Sequence, residues 1–216
     1  MAFVVTVAQR KGGAGKSTLA ATLATTLARE GARVALLDTD PQQSLARWHQ
    51  ERQGRAEAAP LAFEAPSGWR VPATLDRMKA ESEVLILDTP PHADTDARIA
   101  MRAADLVLVP LQPSPADLWA MQGTLDLAAA EGRRALLVLN RVPSSGRLRD
   151  EVIAQIRARG LPLLEPALGN RTAFASAFAQ GLGVAEAAPR GTAATEARAV
   201  TRAVLRAAQE RDGKGR

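Results

Sequence analysis

The stretch Phe3-Val4-Val5-Thr6-Val7-Ala8-Gln9-Arg10-Lys11-Gly12-Gly13-Ala14-Gly15-Lys16-Ser17-Thr18 decides the fold. Phe3 to Gln9 is a valine-rich apolar run of strand length. After a loop with three glycines comes Ser17 to Glu30, where Leu19, Leu23 and Leu27, with Ala20, Ala24 and Ala28, recur at helical spacing. Gly31 stands where a helix commonly ends, and Arg33 to Leu37 is a second apolar run closed by Asp38. Strand, loop, helix, strand is a parallel βαβ unit. Further strands are expected at 84–87, 106–109, 135–139, 61–63 and 161–164. Helices are expected at 43–53, 73–81, 95–103, 116–130, 147–159, 172–180 and 196–211. Continuous apolar strands separated by helices predict an α/β domain with a mostly parallel, twisted sheet covered on both faces. Ligands in such folds bind beyond the carboxyl ends of the strands, where this sequence places Lys11 to Ser17, Asp38, Asp40, Asp88 and Asn140.

The loop itself points to phosphate. The standard Gly-x-x-x-x-Gly-Lys-Ser/Thr pattern fails at its first glycine, because Arg10 occupies that place, whereas Lys-Gly-Gly-x-Gly-Lys-Ser-Thr fits from Lys11 to Thr18. Gly12, Gly13 and Gly15 are expected to take positive φ and turn successive N–H groups toward phosphate oxygens, with the following helix directing its positive end at the same charge. Lys16 then sits on the β- and γ-phosphates and the Ser17 hydroxyl ligates Mg²⁺. Val84-Leu85-Ile86-Leu87-Asp88 is an apolar strand ending in a carboxylate, the pattern that holds Mg²⁺ directly or through water. Asp38-Thr39-Asp40-Pro41-Gln42 supplies a second carboxylate cluster, open to a plainer reading in which an aspartate caps the helix that Pro41 starts. The guanine-reading Asn-Lys-x-Asp is absent after the 135–139 strand, where Asn140 is followed by Arg141-Val142-Pro143, which favours ATP.

These residues together resemble the deviant Walker A ATPases of the ParA/MinD superfamily of P-loop NTPases, and within it the small ParA-type partitioning ATPases. The resemblance is most specific over 4–18, 34–44 and 84–91. It implies ATP bound by Lys11, Gly12, Gly13, Ala14, Gly15, Lys16, Ser17 and Thr18, with Asn140 at the adenine. It implies Mg²⁺ served by Ser17, Asp38 and Asp88, and an attacking water oriented by Asp40. Lys11 is implied to reach across an ATP-bound homodimer to the partner's phosphates, acting with Lys16 and Asp40 in hydrolysis. His92 falls in the family's switch loop and reads as a solvated loop histidine. Gln112 to Asp117 resembles a proline-rich loop at the dimer interface, although Ser114 and Asp117 read equally as helix-start residues.

Composition bounds the rest. The 216 residues are 46% hydrophobic and 24% charged, enough for one core and short for two, so a single ATPase domain over 1–216 is expected. Twenty-eight Lys and Arg against 23 Asp and Glu give +5, which leans toward an anionic partner. The absence of cysteine excludes disulfides and thiolate-held clusters, and with them the iron–sulfur branches of the superfamily; the absence of tyrosine excludes its tyrosine-kinase branch. No apolar run approaches the roughly 20 residues that span a bilayer, and a cytoplasmic, nucleoid-associated protein is expected. Ten residues precede Lys11, so the N-terminal helix-turn-helix domain of larger ParA proteins is not expected.

From Pro189 to Arg216 there are seven basic residues against three acidic, four of the surplus five charges. Arg198, Arg202 and Arg206 recur every four residues as one stripe on the basic 196–211 helix, and 212–216 is expected as a flexible tail. By resemblance this stripe, with Arg171, binds double-stranded DNA without reading sequence. The implied function is cargo positioning or segregation, with hydrolysis stimulated by a ParB-like or other cargo-bound activator. A MinD-like membrane regulator and a metabolic enzyme of the dethiobiotin synthetase type are the alternatives. The Ala/Val face of the last helix is too small for stable membrane association.

Overall fold

The computed structural model describes residues 2–91 and 95–212, so His92 and the 213–216 tail lie outside the described residues. The chain runs β1 (Phe3–Val7), α1 (Lys16–Arg29), β2 (Val34–Asp38), α2 (Ser44–Arg52), β3 (Ala62–Glu64), α3 (Val71–Glu81), β4 (Val84–Asp88) and α4 (Thr95–Ala103). It continues with β5 (Leu106–Leu111), α5 (Pro115–Ala120), α6 (Gln122–Ala130), β6 (Ala135–Leu139), α7 (Arg147–Ala158), β7 (Leu163–Leu164), α8 (Thr172–Ala179), α9 (Val184–Ala187) and α10 (Thr192–Asp212). All seven strands are parallel, in the order β3-β2-β4-β1-β5-β6-β7.

Alternation along the strands builds a core on each face, since successive side chains point to opposite sides of a sheet. Val5, Val7, Leu36, Ile86, Leu108 and Val138 pack with Leu19, Leu23 and Leu27 of α1 and Val200 and Val204 of α10. The opposite side chains divide between a cluster of Val4, Leu37, Leu85 and Leu87 with Leu75 and Met78 of α3, and one of Val107, Val109 and Leu137 with Leu118, Val152 and Ile156. Burying each such leucine or isoleucine contributes about 1.5–3 kcal/mol.

Three elements differ from the expectation. The 116–130 helix is two helices meeting at Met121, with Gly123 in the following turn. The last helix starts at Thr192, four residues early, and the four-residue α9 carries no readable period. A buried ion pair explains α9. Arg52 at the end of α2 makes paired hydrogen bonds to Glu186 (2.6 and 2.7 Å), donates to the carbonyls of Gly181 and Ala59, and stacks 5.2 Å from the Trp48 ring centroid. Glu186 also accepts the N–H groups of Ala59 and Gly183, so the carboxylate is satisfied on both oxygens. Breaking such a pair strands a buried guanidinium. Glu186→Ala should therefore lower stability by about 3–5 kcal/mol in urea denaturation, and a loss under about 1 kcal/mol would show that the pair does not hold the end of α2.

Candidate functional site

The register of the sheet assembles the site. Val7 pairs with Asp88, and Asp88 with Asp38, so β1, β4 and β2 end level and the loop after β1 opens beside both carboxylates. Gly13 and Gly15 take φ of 79° and 90°; Gly12, expected to do the same, does not. Gly15 is fixed by crowding as well as by φ, because a Cβ there would come within 2.4 Å of the Asn140 amide nitrogen. That amide donates to the Ala14 carbonyl (3.0 Å), while Gln112 and Arg141 donate to the Gly13 carbonyl. Three donors from the loops after β5 and β6 thus hold the loop's carbonyls outward, which leaves its N–H groups for a ligand.

Gly12, Gly13, Gly15, Lys16, Ser17 and Thr18 line a cavity of about 300 Å³ together with Asp40, Gln42, Ser44, Pro91, Arg141 and Phe178. Ala14 is buried behind it. Lys16 is 7% exposed and burial lowers its pKa, with Asp88 and Asp40 pulling the other way. Lys11 stands apart: its ammonium is held by the buried carboxylate of Asp117 on α5, and it is not among the residues lining the cavity. Ser114 caps α5 by accepting the Asp117 N–H (3.2 Å), so the helix-start reading of both residues holds.

The three aspartates do different work. Asp38 accepts the N–H groups of Asp40 (3.0 Å), Leu45 (3.1 Å) and Ala46 (3.3 Å), tying the 39–46 segment and the start of α2 to the end of β2. The capping reading is therefore realised by Asp38, from six residues before the helix. Asp40 accepts the Gln42 N–H (2.9 Å) and faces the cavity. Asp88 is fully buried, and neither carboxylate oxygen has a hydrogen-bond partner among the described residues. A buried carboxylate left so is costly, and its position beside Ser17 and Lys16 at a phosphate loop fits a hydrated divalent cation. Among the described residues no three acidic or histidine side chains form a ready-made metal cage, as expected where Mg²⁺ takes most of its ligands from phosphate and water. Two residues without the licence of glycine take left-handed φ beside the cavity, Gln43 (51°) and Arg141 (51°). Sequence reasoning passed over Arg141, Gln112, Gln42, Ser44 and Phe178. Adjacency to Asn140 was a signal for Arg141, the Asp-x-Asp-Pro-Gln run for Gln42 and Ser44, and the proline-rich loop for Gln112; Phe178, which arrives from α8, had none.

The arginines lie elsewhere. Arg202 and Arg206 are exposed and Arg198 is half-buried, while Ala197, Val200 and Val204 on the other side of α10 are buried in the core. Arg171 makes paired hydrogen bonds to Glu196 (2.6 and 3.0 Å), so its charge is offset.

Burial pushes Asp38 up to about 6 and Asp88 up to about 7; the Ser17 hydroxyl, close to Asp88 without hydrogen-bond geometry, and the Lys16 charge oppose the Asp88 shift. Carboxyls raised in this way retain protons in the folded protein that the unfolded chain loses near pH 4, so they weaken the fold as pH rises from about 4 toward 7. Without divalent cation, Asp88→Asn should melt at a higher temperature than wild type at pH 8, with the gap closing toward pH 4.5. A gap equal at both pH values would exclude the buried charge as its cause.

Comparison with known proteins agrees with this geometry. The CobQ/CobB/MinD/ParA nucleotide binding domain matches residues 5–184. The chain is 36% identical over 93% of its length to "Maintenance of carboxysome distribution protein A" of Gloeobacter kilaueensis, 91% of which is covered. It is 32% identical over 82% of its length to "Protein ParA" of Rhizobium radiobacter, 83% of which is covered. In fold it is similar to a McdA variant from Cyanothece solved as an ATP complex, with a TM-score of 0.77 and 18% identity over 94% of this chain and 96% of the other. The phosphate loop braced from β5 and β6, the level carboxylates and the matched domain together place this chain in the CobQ/CobB/MinD/ParA family of nucleotide-binding proteins.

Proposed function

We propose that this chain is a ParA-type ATPase that forms a homodimer on ATP, binds DNA without sequence preference, and positions or segregates a cargo through partner-stimulated hydrolysis. One observation carries the reading: Lys11 is held on Asp117 outside the lining of the cavity, while Lys16 is part of that lining. A lysine so placed is suited to another subunit's phosphates, in the manner of an arginine finger. Support for ATP and Mg²⁺ comes from the braced loop, the unpartnered Asp88 and the ATP-bound McdA relative. Ser17 and Asp88 would hold the metal, with Asp38 supporting it by fixing the 39–46 segment. Bound Mg²⁺ would supply charge compensation on the phosphates. Asp40 orients the attacking water, and hydrolysis yields ADP and phosphate. Asn140 is the candidate adenine contact from the place where it also braces Ala14.

Relatives named for plasmid partition, for chromosome partition and for carboxysome distribution support a positioning role and leave three cargo classes. The apolar side of α10 is buried against α1 and the sheet, which argues against a membrane-inserting helix. Its arginine side is free to neutralise DNA phosphates, doubled in a dimer.

Lys16→Ala should abolish ATP binding, measured by calorimetry, whereas Asp40→Ala should bind ATP, dimerise and remain on DNA while hydrolysing at least about 100-fold more slowly. Wild-type turnover by Asp40→Ala would overturn its water-positioning role. Arg202→Glu combined with Arg206→Glu should abolish ATP-dependent binding to plasmid DNA at about 100 mM salt. Arg171→Ala, already offset by Glu196, should weaken it by less. Equal effects would show that α10 does not carry the contact.

A further inference from the structure

β1 ends at Val7, and the next bond to β5 runs from the Ala8 N–H to the Leu108 carbonyl (3.0 Å). The chain then leaves the sheet, yet Gln9 is 1% exposed. Its Nε2 donates to the Pro110 carbonyl (3.3 Å), so a side chain continues the β5 contact after the backbone has turned away. Its Oε1 accepts twice, from the Lys11 N–H (3.4 Å) and from the Thr124 hydroxyl (3.1 Å). The Thr124 oxygen in turn accepts the Arg10 N–H (3.2 Å). Thr124 is fully buried in the first turn of α6, where an alanine or leucine would favour the helix more. Gly123 beside it leaves room for the Arg10 side chain, whose guanidinium a Cβ would approach to 2.6 Å.

One helical segment, α5 and α6, therefore holds Lys11 at both ends. Asp117 holds the ammonium, and Thr124 holds the backbone at 10 and, through Gln9, at 11. The two holds differ in kind. The Asp117 pair is a contact at the tip of a long side chain that is 38% exposed, whereas the Gln9–Thr124 contact is buried. Neither Gln9 nor Thr124 bonds to any residue from Gly12 to Thr18.

We propose that Thr124, acting through Gln9, is a positioning residue for Lys11: it fixes the backbone pivot from which the Lys11 side chain, once it leaves Asp117, reaches the phosphates of a second copy of this chain. The inference rests on the trans-acting role of Lys11 given above. A long side chain aimed from a displaced pivot misses its target, and misplacement of about 1 Å can cost 100-fold in rate.

The test uses the full chain with Thr124→Val, which keeps the branched shape and removes the hydroxyl, beside Thr124→Ser and Lys11→Ala. Thr124→Val should bind ATP at low protein concentration within about twofold of wild type, because the phosphate loop is untouched. Its ATP-dependent self-association in sedimentation and its phosphate release should each fall about 10- to 100-fold. Thr124→Ser should restore both. Self-association and turnover within twofold of wild type in Thr124→Val, loss of ATP binding in proportion to loss of turnover, or failure of Thr124→Ser to restore would each overturn the proposal. If Lys11→Ala is inactive while Thr124→Val is normal, only the positioning role falls; if Lys11→Ala itself associates and turns over normally, the trans-acting reading falls with it.

Discussion

Everything at the site depends on the register that sets Val7, Asp88 and Asp38 side by side at the carboxyl ends of three parallel strands. Shifting any one strand by a residue would send each of its side chains into the core on the opposite face, so close packing against the helices on both faces locks the alignment. Two carboxylates are thereby buried next to a lysine-bearing loop. Asp38 is stabilised by three backbone N–H groups, but Asp88 is given none, and burial raises both. That asymmetry separates a carboxylate that ties down the backbone from one whose oxygens have no hydrogen-bond partner among the described residues.

The loop is rigid because of what grips it from outside. Asn140, Arg141 and Gln112, more than ninety residues away in sequence, occupy the carbonyls of Gly13 and Ala14. Arg141 adopts a left-handed conformation at that grip, and Gln43 does so across the cavity, where local strain of about 1–3 kcal/mol is sustained by surrounding contacts. The segment carrying Asp40 is anchored by Asp38 at one end of α2 and by Arg52 and Glu186 at the other, so the free part is short and faces the cavity.

The surplus of positive charge divides in the same physical way. α10 buries Ala197, Val200 and Val204 and turns Arg202 and Arg206 to the surface, so its apolar side is already engaged and its basic side is available. Arg171 is equally basic in sequence, but Glu196, two residues before the stripe begins, takes up its charge. Charge counted along a chain overstates what a surface presents.

The sequence by itself determined the fold class, the phosphate loop and the placing of four polar clusters at strand ends, because each rests on local chemistry: period-two and period-3.6 patterns, glycine's freedom, a carboxylate after an apolar run. It also determined that two readings of Asp38 and Ser114 were open. Only the tertiary structure decided between or joined them, and only it revealed the Arg52–Glu186 pair that forms α9, the break at Met121, Phe178 in the cavity wall and the Gln9–Thr124 contacts behind Lys11. The ion pair, the place of Phe178 and the Gln9–Thr124 contacts each join groups more than a hundred residues apart, and a contact made at that range leaves no period in the sequence.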